Sequence, residues 1–212
     1  MTPLNHVKYH IGDITQRSHI DAVHAQSPRA DLYTGDIVLG VIKQINASGI
    51  ISTVSRTEMD INRPRDIRNA DAIDEYRDAI YRIIVSKKIL SKDNKLTKNY
   101  LHLAIHGMKD IRQSEFEIGT RNGDLCSKEV IDWFMKEILK FSKHVKLDNY
   151  FPGNQSKAFH RNGDITSGYS GYGEKYNSIQ IEINRTLRKE RQDDLIKLFS
   201  NMMINFNTSF NC

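Results

Sequence analysis

Two histidines stand where predicted strands end, a position at which α/β proteins place ligand-binding groups. His24 ends a short apolar run and enters a turn, and His106 ends a longer apolar run just before a glycine. Neutral imidazole is a frequent zinc ligand, so both side chains are candidates for a metal site. Two alternatives stay open: His24 as an ordinary loop histidine, and His106 with His102 as a pair of solvent-facing strand histidines.

A carboxylate on a third predicted strand is a candidate proton acceptor. Glu182 shares the polar face of this strand with Gln180 and Asn184, whereas isoleucines alternate with them on the other face. A carboxylate beside a metal-activated water can take its proton. The alternative is an edge strand whose polar face lies in water.

A dense polar cluster follows the predicted strand 49–54. Asn62 and Arg63 stand side by side, Asp60 can orient either, and Pro64 stiffens the exit of the chain. Because a guanidinium donates two parallel charged hydrogen bonds to a carboxylate, the cluster predicts a binding site for an acidic group.

The remaining charged residues carry less information. We interpret His6, His10 and His19 as surface or structural histidines. The excess of 31 Lys and Arg over 26 Asp and Glu gives a charge of +5, which an anionic substrate or a nucleic acid would explain. The lysine-rich segment 87–98 lacks an aromatic residue for stacking on bases, so a solvated helix end and loop is favoured over a nucleic-acid contact.

Length and composition bound the class of protein. A chain of 212 residues with 39% hydrophobic and 27% charged residues is typical of a single soluble domain spanning 1–212. No apolar run is long enough to cross a bilayer and no signal peptide is visible, so we expect a cytoplasmic protein with no membrane partner. Two cysteines exclude a disulfide framework and thiolate zinc sites. The oligomeric state stays open.

Periodicity predicts an alternation of helices and strands. A 3.6-residue period or a strand pattern marks each element. The predicted helices cover 34–46, 71–90, 127–142 and 193–204, and the predicted strands cover 49–54, 100–105, 116–120, 145–150 and 178–184. This order predicts an α/β fold with a mixed, largely parallel sheet between helical layers. The long Gly- and Tyr-rich loop 153–176, which contains His160 and Arg161, is interpreted as a lid or wall of the site.

These motifs, in this order, resemble the N-formylglutamate amidohydrolase-like proteins, which include phage-type poly-γ-glutamate hydrolases and share a zinc carboxypeptidase-like fold. The similarity spans about residues 20–190. The matching stretches are His24 with Asp31-Leu-Tyr-Thr, Arg56 with Asp60-Ile-Asn-Arg-Pro, Ala104-Ile-His-Gly-Met, Glu117-Ile-Gly-Thr-Arg-Asn-Gly and Gln180-Ile-Glu-Ile-Asn-Arg.

The resemblance implies a zinc-dependent amidohydrolase that cleaves an amide or peptide bond near a substrate carboxylate. It implies His24 and His106 as metal ligands, with Asp31 as the third ligand and Asp36 as the alternative. The remaining roles that it implies are the general base for Glu182, an oxyanion contact for Arg56, and substrate binding for Asn62, Arg63 and Arg185.

Several functional points stay open at this level. The alternatives to the enzyme are a basic nucleic-acid-associated protein and a catalytically inactive amidohydrolase-like binding module. N-formylglutamate, a γ-linked glutamate polymer and an ordinary or cell-wall peptide all present a carboxylate near an amide, so the sequence does not choose among these substrates.

Overall fold

The computed structural model describes residues 1–153, 165–166 and 169–210. The strands are β1 (Thr2–Pro3), β2 (Val7–His10), β3 (Ser18–Ala22), β4 (Ser48–Ser52), β5 (Tyr100–Met108), β6 (Phe116–Gly119), β7 (Val145–Leu147), β8 (Ile165–Thr166), β9 (Tyr169–Ser170) and β10 (Tyr176–Asn184). The helices are α1 (Thr34–Ile45), α2 (Ala70–Ser86), α3 (Lys128–Phe141), α4 (Arg185–Glu190) and α5 (Gln192–Ser209).

Eight strands form one mixed sheet in the order β1-β2-β4-β3-β5-β10-β6-β7. The four central strands β4, β3, β5 and β10 are mutually parallel. The β1–β2, β2–β4 and β10–β6 pairs are antiparallel, and β7 runs parallel to β6. A separate two-stranded sheet joins β8 and β9. The predicted α/β fold with a mixed, largely parallel sheet is therefore confirmed.

Helices cover both faces of this sheet. On one face α1, α3 and α5 bury a core with the isoleucines and leucines of the central strands. On the other face α2 packs its apolar stripe, which includes Ile73, Tyr76, Ile80 and Ile83, against β2 and β4. The spacing of three and four residues brings these side chains onto one side of the helix, which is why the sequence pattern predicts α2 correctly.

Local signals also place the start of α3. The Ser127 hydroxyl accepts a hydrogen bond from the Val130 amide, which satisfies one of the unpaired donors of the first turn. The predicted boundary at 127 agrees with this cap.

Two expectations about exposure are wrong. Strand β10 lies between β5 and β6, so the polar face with Glu182 is covered rather than at a solvated edge. Lys87 is only 6% exposed, because its ammonium turns inward and donates to the Asp13 carbonyl at 2.6 Å and the Ser48 hydroxyl at 2.8 Å. The lysine-rich segment is therefore not wholly solvated. Helix α2 ends at Ser86 rather than at residue 90, and Lys88 just beyond it has a positive φ of 56°.

The topology gathers three strand ends at one place. Because β3, β5 and β10 are parallel neighbours, their carboxyl ends lie side by side at one edge of the sheet. Residues that leave these ends converge on one crevice, as is usual in open α/β sheets. No helix in the part of the chain that the structure describes is both long and apolar enough to cross a membrane.

Candidate metal centre and active site

The candidate site lies where β3, β5 and β10 end. His106 belongs to β5 and Glu182 to β10, and the two residues are paired in register across the parallel ladder. His24 follows β3 by two residues. All three side chains line one pocket. The structure thus brings together the three residues that the sequence singled out on separate strands.

A turn after β3 carries Asp31 to the two histidines. The Asp31 amide donates to the His24 carbonyl at 2.8 Å, and the Thr34 hydroxyl donates to the Asp31 carbonyl at 2.7 Å, where α1 begins. This folding back brings Asp31 Oδ2 to 3.5 Å from His24 Nδ1 and 3.4 Å from His106 Nδ1. Asp36, the alternative ligand, lies exposed in the first turn of α1.

His24, Asp31 and His106 form a buried triad with the donor set of a metal site. One ligand atom from each residue lies within 4.8 Å of those of the other two. Two imidazoles and one carboxylate are a known protein ligand set of catalytic zinc, which keeps a further position open. In the described part of the chain, His24 Nδ1 is buried and makes no hydrogen bond, so its lone pair is available to coordinate a metal ion.

Asp60 controls the tautomer of His24. Its Oδ1 lies 2.8 Å from His24 Nε2 and also accepts from the Asn62 amide at 2.8 Å. Burial would raise the pKa of Asp60, but the hydrogen bonds from His24 and Asn62 outweigh it and hold the pKa below its usual value. An ionised carboxylate only accepts, so Nε2 carries the proton and Nδ1 presents its lone pair to the triad.

The Asp31 carboxyl group is also held in its ionised form. Burial alone would raise the pKa of this carboxyl, but hydrogen bonding to the His106 imidazole, the largest of the opposing effects, helps to hold the pKa far below the usual range. Arg56 forms an ion pair with Asp31 Oδ1. The carboxylate therefore stays ionised. The Arg56 guanidinium, predicted as an oxyanion contact, contacts the Asp31 carboxylate of the triad.

The same pocket also holds the candidate base. Glu182 is 7% exposed, and Gln180, two residues earlier on the same face of β10, donates to its Oε1 at 3.1 Å. Gln180 was not among the residues predicted for the site. Its spacing of two from Glu182 on a strand is the sequence signal that identifies it.

The predicted substrate-binding residues separate into two groups. Asn62 is buried in the pocket lining, and Arg63 lines the same pocket with 59% of its side chain exposed and its Nε 3.5 Å from Asp60 Oδ2. Arg185 is not brought to the pocket, because β10 ends at Asn184 and Arg185 starts α4 as an exposed residue. The predicted lid residues His160 and Arg161 lie outside the described residues.

A second histidine–aspartate cluster is buried deeper on the same face of the sheet. His102 Nε2 lies 2.7 Å from Asp21 Oδ2, which also accepts a hydrogen bond from Tyr76, and His102 Nδ1 is hydrogen-bonded to Ser178 at 2.9 Å. The alternative of solvent-facing strand histidines is therefore wrong for His102.

The geometry of this second cluster is that of a hydrogen-bond network rather than a metal site. The His19 and His102 rings are stacked, with centroids 4.2 Å apart and planes 4° apart. One ligand atom from each of His19, Asp21 and His102 lies within 4.8 Å of those of the other two, as in the first triad, but the ring lone pairs lie in two parallel planes and do not converge on one ion. Burial lowers the pKa of His19 well below its usual value, so its ring is neutral. Of the two interpretations given for His19, surface or structural, the structural one is confirmed.

The fold matches those of three solved structures. An N-formylglutamate amidohydrolase from Ralstonia eutropha superposes with a TM-score of 0.72 at 14% identity, covering 98% of this chain and 99% of that one. A gene product of Agrobacterium tumefaciens gives 0.67 at 14% identity, covering 96% and 95%. A bacteriophage poly-γ-glutamate hydrolase gives 0.53 at 9% identity, covering 95% and 89%.

Neither family models nor curated proteins match the chain. Two of these structures, the N-formylglutamate amidohydrolase and the poly-γ-glutamate hydrolase, have the names of the proteins that the sequence motifs resemble. The chain therefore shares the fold of the N-formylglutamate amidohydrolase and poly-γ-glutamate hydrolase structures over almost its whole length.

Proposed function

We propose that this protein is a zinc-dependent hydrolase that cleaves an amide or peptide bond near a substrate carboxylate. One observation carries the proposal. The buried triad of His24, Asp31 and His106, with an unpaired imidazole nitrogen, opens into the same pocket as Glu182 and Arg63. Ligands, a base and a cationic anchor are thus within one cavity, and the shared fold with two hydrolases agrees with this assignment.

The metal would be held by His24 Nδ1, a carboxylate oxygen of Asp31 and His106. When bound, zinc supplies Lewis-acid polarisation of a carbonyl and lowers the pKa of a water molecule toward about 7. Asp60 holds His24 in the tautomer that binds a metal, and Arg56 neutralises part of the charge of Asp31.

Glu182 is the proposed general base. Its carboxylate faces the pocket beside His106, and the Gln180 amide fixes one of its oxygens. A carboxylate held in this way takes a proton from the attacking water and transfers it to the leaving nitrogen. Its burial keeps that proton away from bulk solvent during the transfer.

The substrate is proposed to be anionic. Asn62 and Arg63 extend from the same segment as Asp60, so the group that they bind is held at a set distance from the triad. Binding a carboxylate there would place a nearby amide at the metal and convert a bimolecular encounter into an oriented reaction. N-formylglutamate and γ-glutamyl peptides both have this layout, and part of the net positive charge is then explained by the substrate.

Metal analysis and hydrolysis assays test the proposal together. Purified protein should bind about one zinc per chain, and the zinc form should hydrolyse N-formyl-L-glutamate or a γ-glutamyl peptide. His24→Ala should abolish both properties, whereas Glu182→Gln should keep zinc and lower kcat by about 100-fold or more. His144→Ala and Glu190→Gln, at exposed positions, are the matched controls.

Two results would refute this function. Protein that takes up no zinc on titration contradicts the metal centre. A Glu182→Gln variant with full activity contradicts the assignment of the base. Zinc binding without hydrolysis of either substrate class would instead support the inactive binding module.

A further inference from the structure

A buried arginine lies directly behind the candidate site. Arg188 is the fourth residue of α4 and is only 3% exposed, although its neighbours Arg185 and Lys189 on the same helix are exposed. Its side chain turns from the helix toward the ends of β5 and β10. Burying a guanidinium is costly unless its donors are satisfied, so a specific set of partners is expected.

The partners of Arg188 are main-chain carbonyls on three different segments. Nε donates to the Ile183 carbonyl at 3.0 Å, one Nη donates to the Met108 carbonyl at 3.3 Å, and the other donates to the Leu32 carbonyl. Ile183 follows Glu182, Met108 lies two residues after His106, and Leu32 follows Asp31. One planar group therefore connects the chain beside the candidate base with the chain beside two of the three candidate metal ligands.

Gly107 makes room for this guanidinium. A Cβ atom added at Gly107 would stand 2.5 Å from the central carbon of the Arg188 guanidinium, closer than packed atoms approach. The guanidinium is fixed by three hydrogen bonds, so it cannot move aside without breaking them. The glycine after His106 is thus explained by the arginine behind it.

The charge of Arg188 acts on the same site. None of its hydrogen bonds in the described structure goes to a carboxylate, so no direct ion pair neutralises its positive charge. Burial lowers the pKa of Arg188, and the carboxylates of Asp31 and Glu182 oppose this shift. A buried cation therefore lies behind the two carboxylates of the candidate site.

We propose that Arg188 is a positioning residue of the site, holding the Leu32 turn against the ends of β5 and β10 so that Asp31, His106 and Glu182 keep their separations. The effect on catalysis rests on the proposed hydrolase function, but the effect on the geometry of the site does not. Lysine cannot replace the guanidinium, because one ammonium on a flexible stem does not reach three carbonyls in a plane.

The test compares Arg188→Lys and Gly107→Ala with the control Lys189→Gln, whose side chain is exposed on the same helix. Three quantities are measured: the zinc affinity by competition with a chelating dye, kcat and KM separately, and the ¹⁵N shifts of the His24 and His106 imidazoles in metal-free protein. We expect zinc affinity to fall by about 10- to 100-fold in both test variants. The loss should fall on kcat more than on KM, since the residues that bind the substrate carboxylate are not touched.

Each outcome decides the proposal. The proposal is overturned if Arg188→Lys folds, its zinc affinity and kcat stay within about twofold of wild type, and its imidazole shifts are unchanged within error. If Arg188→Lys does not fold, Gly107→Ala decides, because it displaces the guanidinium without removing its charge. If wild-type protein binds no zinc, the hydrolase function fails separately, and the imidazole shifts alone decide on Arg188. Shifts that move in the test variants but not in Lys189→Gln support it, and unchanged shifts refute it.

Discussion

Asp60 offers the sharpest test of how the site is built, because it touches the proposed metal only through His24. Asp60→Asn replaces an ionised acceptor by a neutral amide of the same shape at 2.8 Å from His24 Nε2. Asp60→Ala removes the acceptor and leaves a buried imidazole nitrogen unpaired. Neither variant removes a candidate metal ligand, so any loss of zinc affinity reports on the orientation and tautomer of His24.

The expected magnitude follows from the kind of hydrogen bond that is lost. A hydrogen bond to a charged group contributes about 1.5–3 kcal/mol and a neutral one about 0.5–1.5 kcal/mol. The midpoints of these ranges differ by about 1.25 kcal/mol, which predicts a roughly eightfold weaker zinc affinity for Asp60→Asn. Asp60→Ala should weaken it by up to about 100-fold, within the range seen for partners of metal-binding histidines.

Zinc affinity is measured by chelator competition at constant pH, with thermal unfolding of the metal-free variants to confirm that they fold. Asp78→Asn is the matched control, because Asp78 is a half-buried aspartate that pairs with Arg82 on α2 and does not line the pocket of the triad. If both Asp60 variants bind zinc within about twofold of wild type, His24 does not depend on Asp60 for its tautomer. His24 Nδ1 would then not be the ligand atom on this ground.

Three further predictions concern stability. Burial lowers the pKa of Lys87 to about 8, so the unfolded chain binds more protons than the folded one between about pH 8 and 10. The free energy of unfolding should therefore rise with pH in that window, and denaturant titrations of wild type against Lys87→Met should show the rise only in wild type. Tyr76→Phe removes the donor to buried Asp21 and should cost about 1–3 kcal/mol by the same titrations, whereas an unchanged midpoint would contradict the network. Ser127→Ala removes the cap on the Val130 amide and should cost about 1 kcal/mol, a loss that Ser127→Asp, which keeps an acceptor, should largely restore.

The helices are the part of the fold that the sequence predicts best. In α2 and α3 the apolar residues recur every three to four positions, and this pattern depends only on residues close together in the chain. The strands are predicted where they are apolar, but their exposure is not. Glu182 stands in a pattern that is typical of a half-solvated strand, yet β10 is central and covered on both faces.

Buried cations with long side chains are the hardest feature to predict from this sequence. Lys87 and Arg188 are cations in helical or turn segments that the sequence gives no reason to bury. Each is buried because its head group reaches main-chain carbonyls of distant segments, Asp13 in one case and Leu32 and Met108 in the other. Such partners are chosen by the packing of the whole chain, and no local pattern encodes them.

The sequence by itself determined the chemical types available to this protein: histidine and carboxylate rather than cysteine as ligands, an α/β alternation, and polar groups at the ends of predicted strands. Only the tertiary structure decided which of them meet. It brought Asp31 rather than Asp36 to the histidines, and it left Arg185 outside the pocket. The physical reason is that ligand distances of a few ångströms depend on two things: the strand order, which joins residues far apart in the chain, and the hydrogen bonds within the turn after β3, which fix where Asp31 lies.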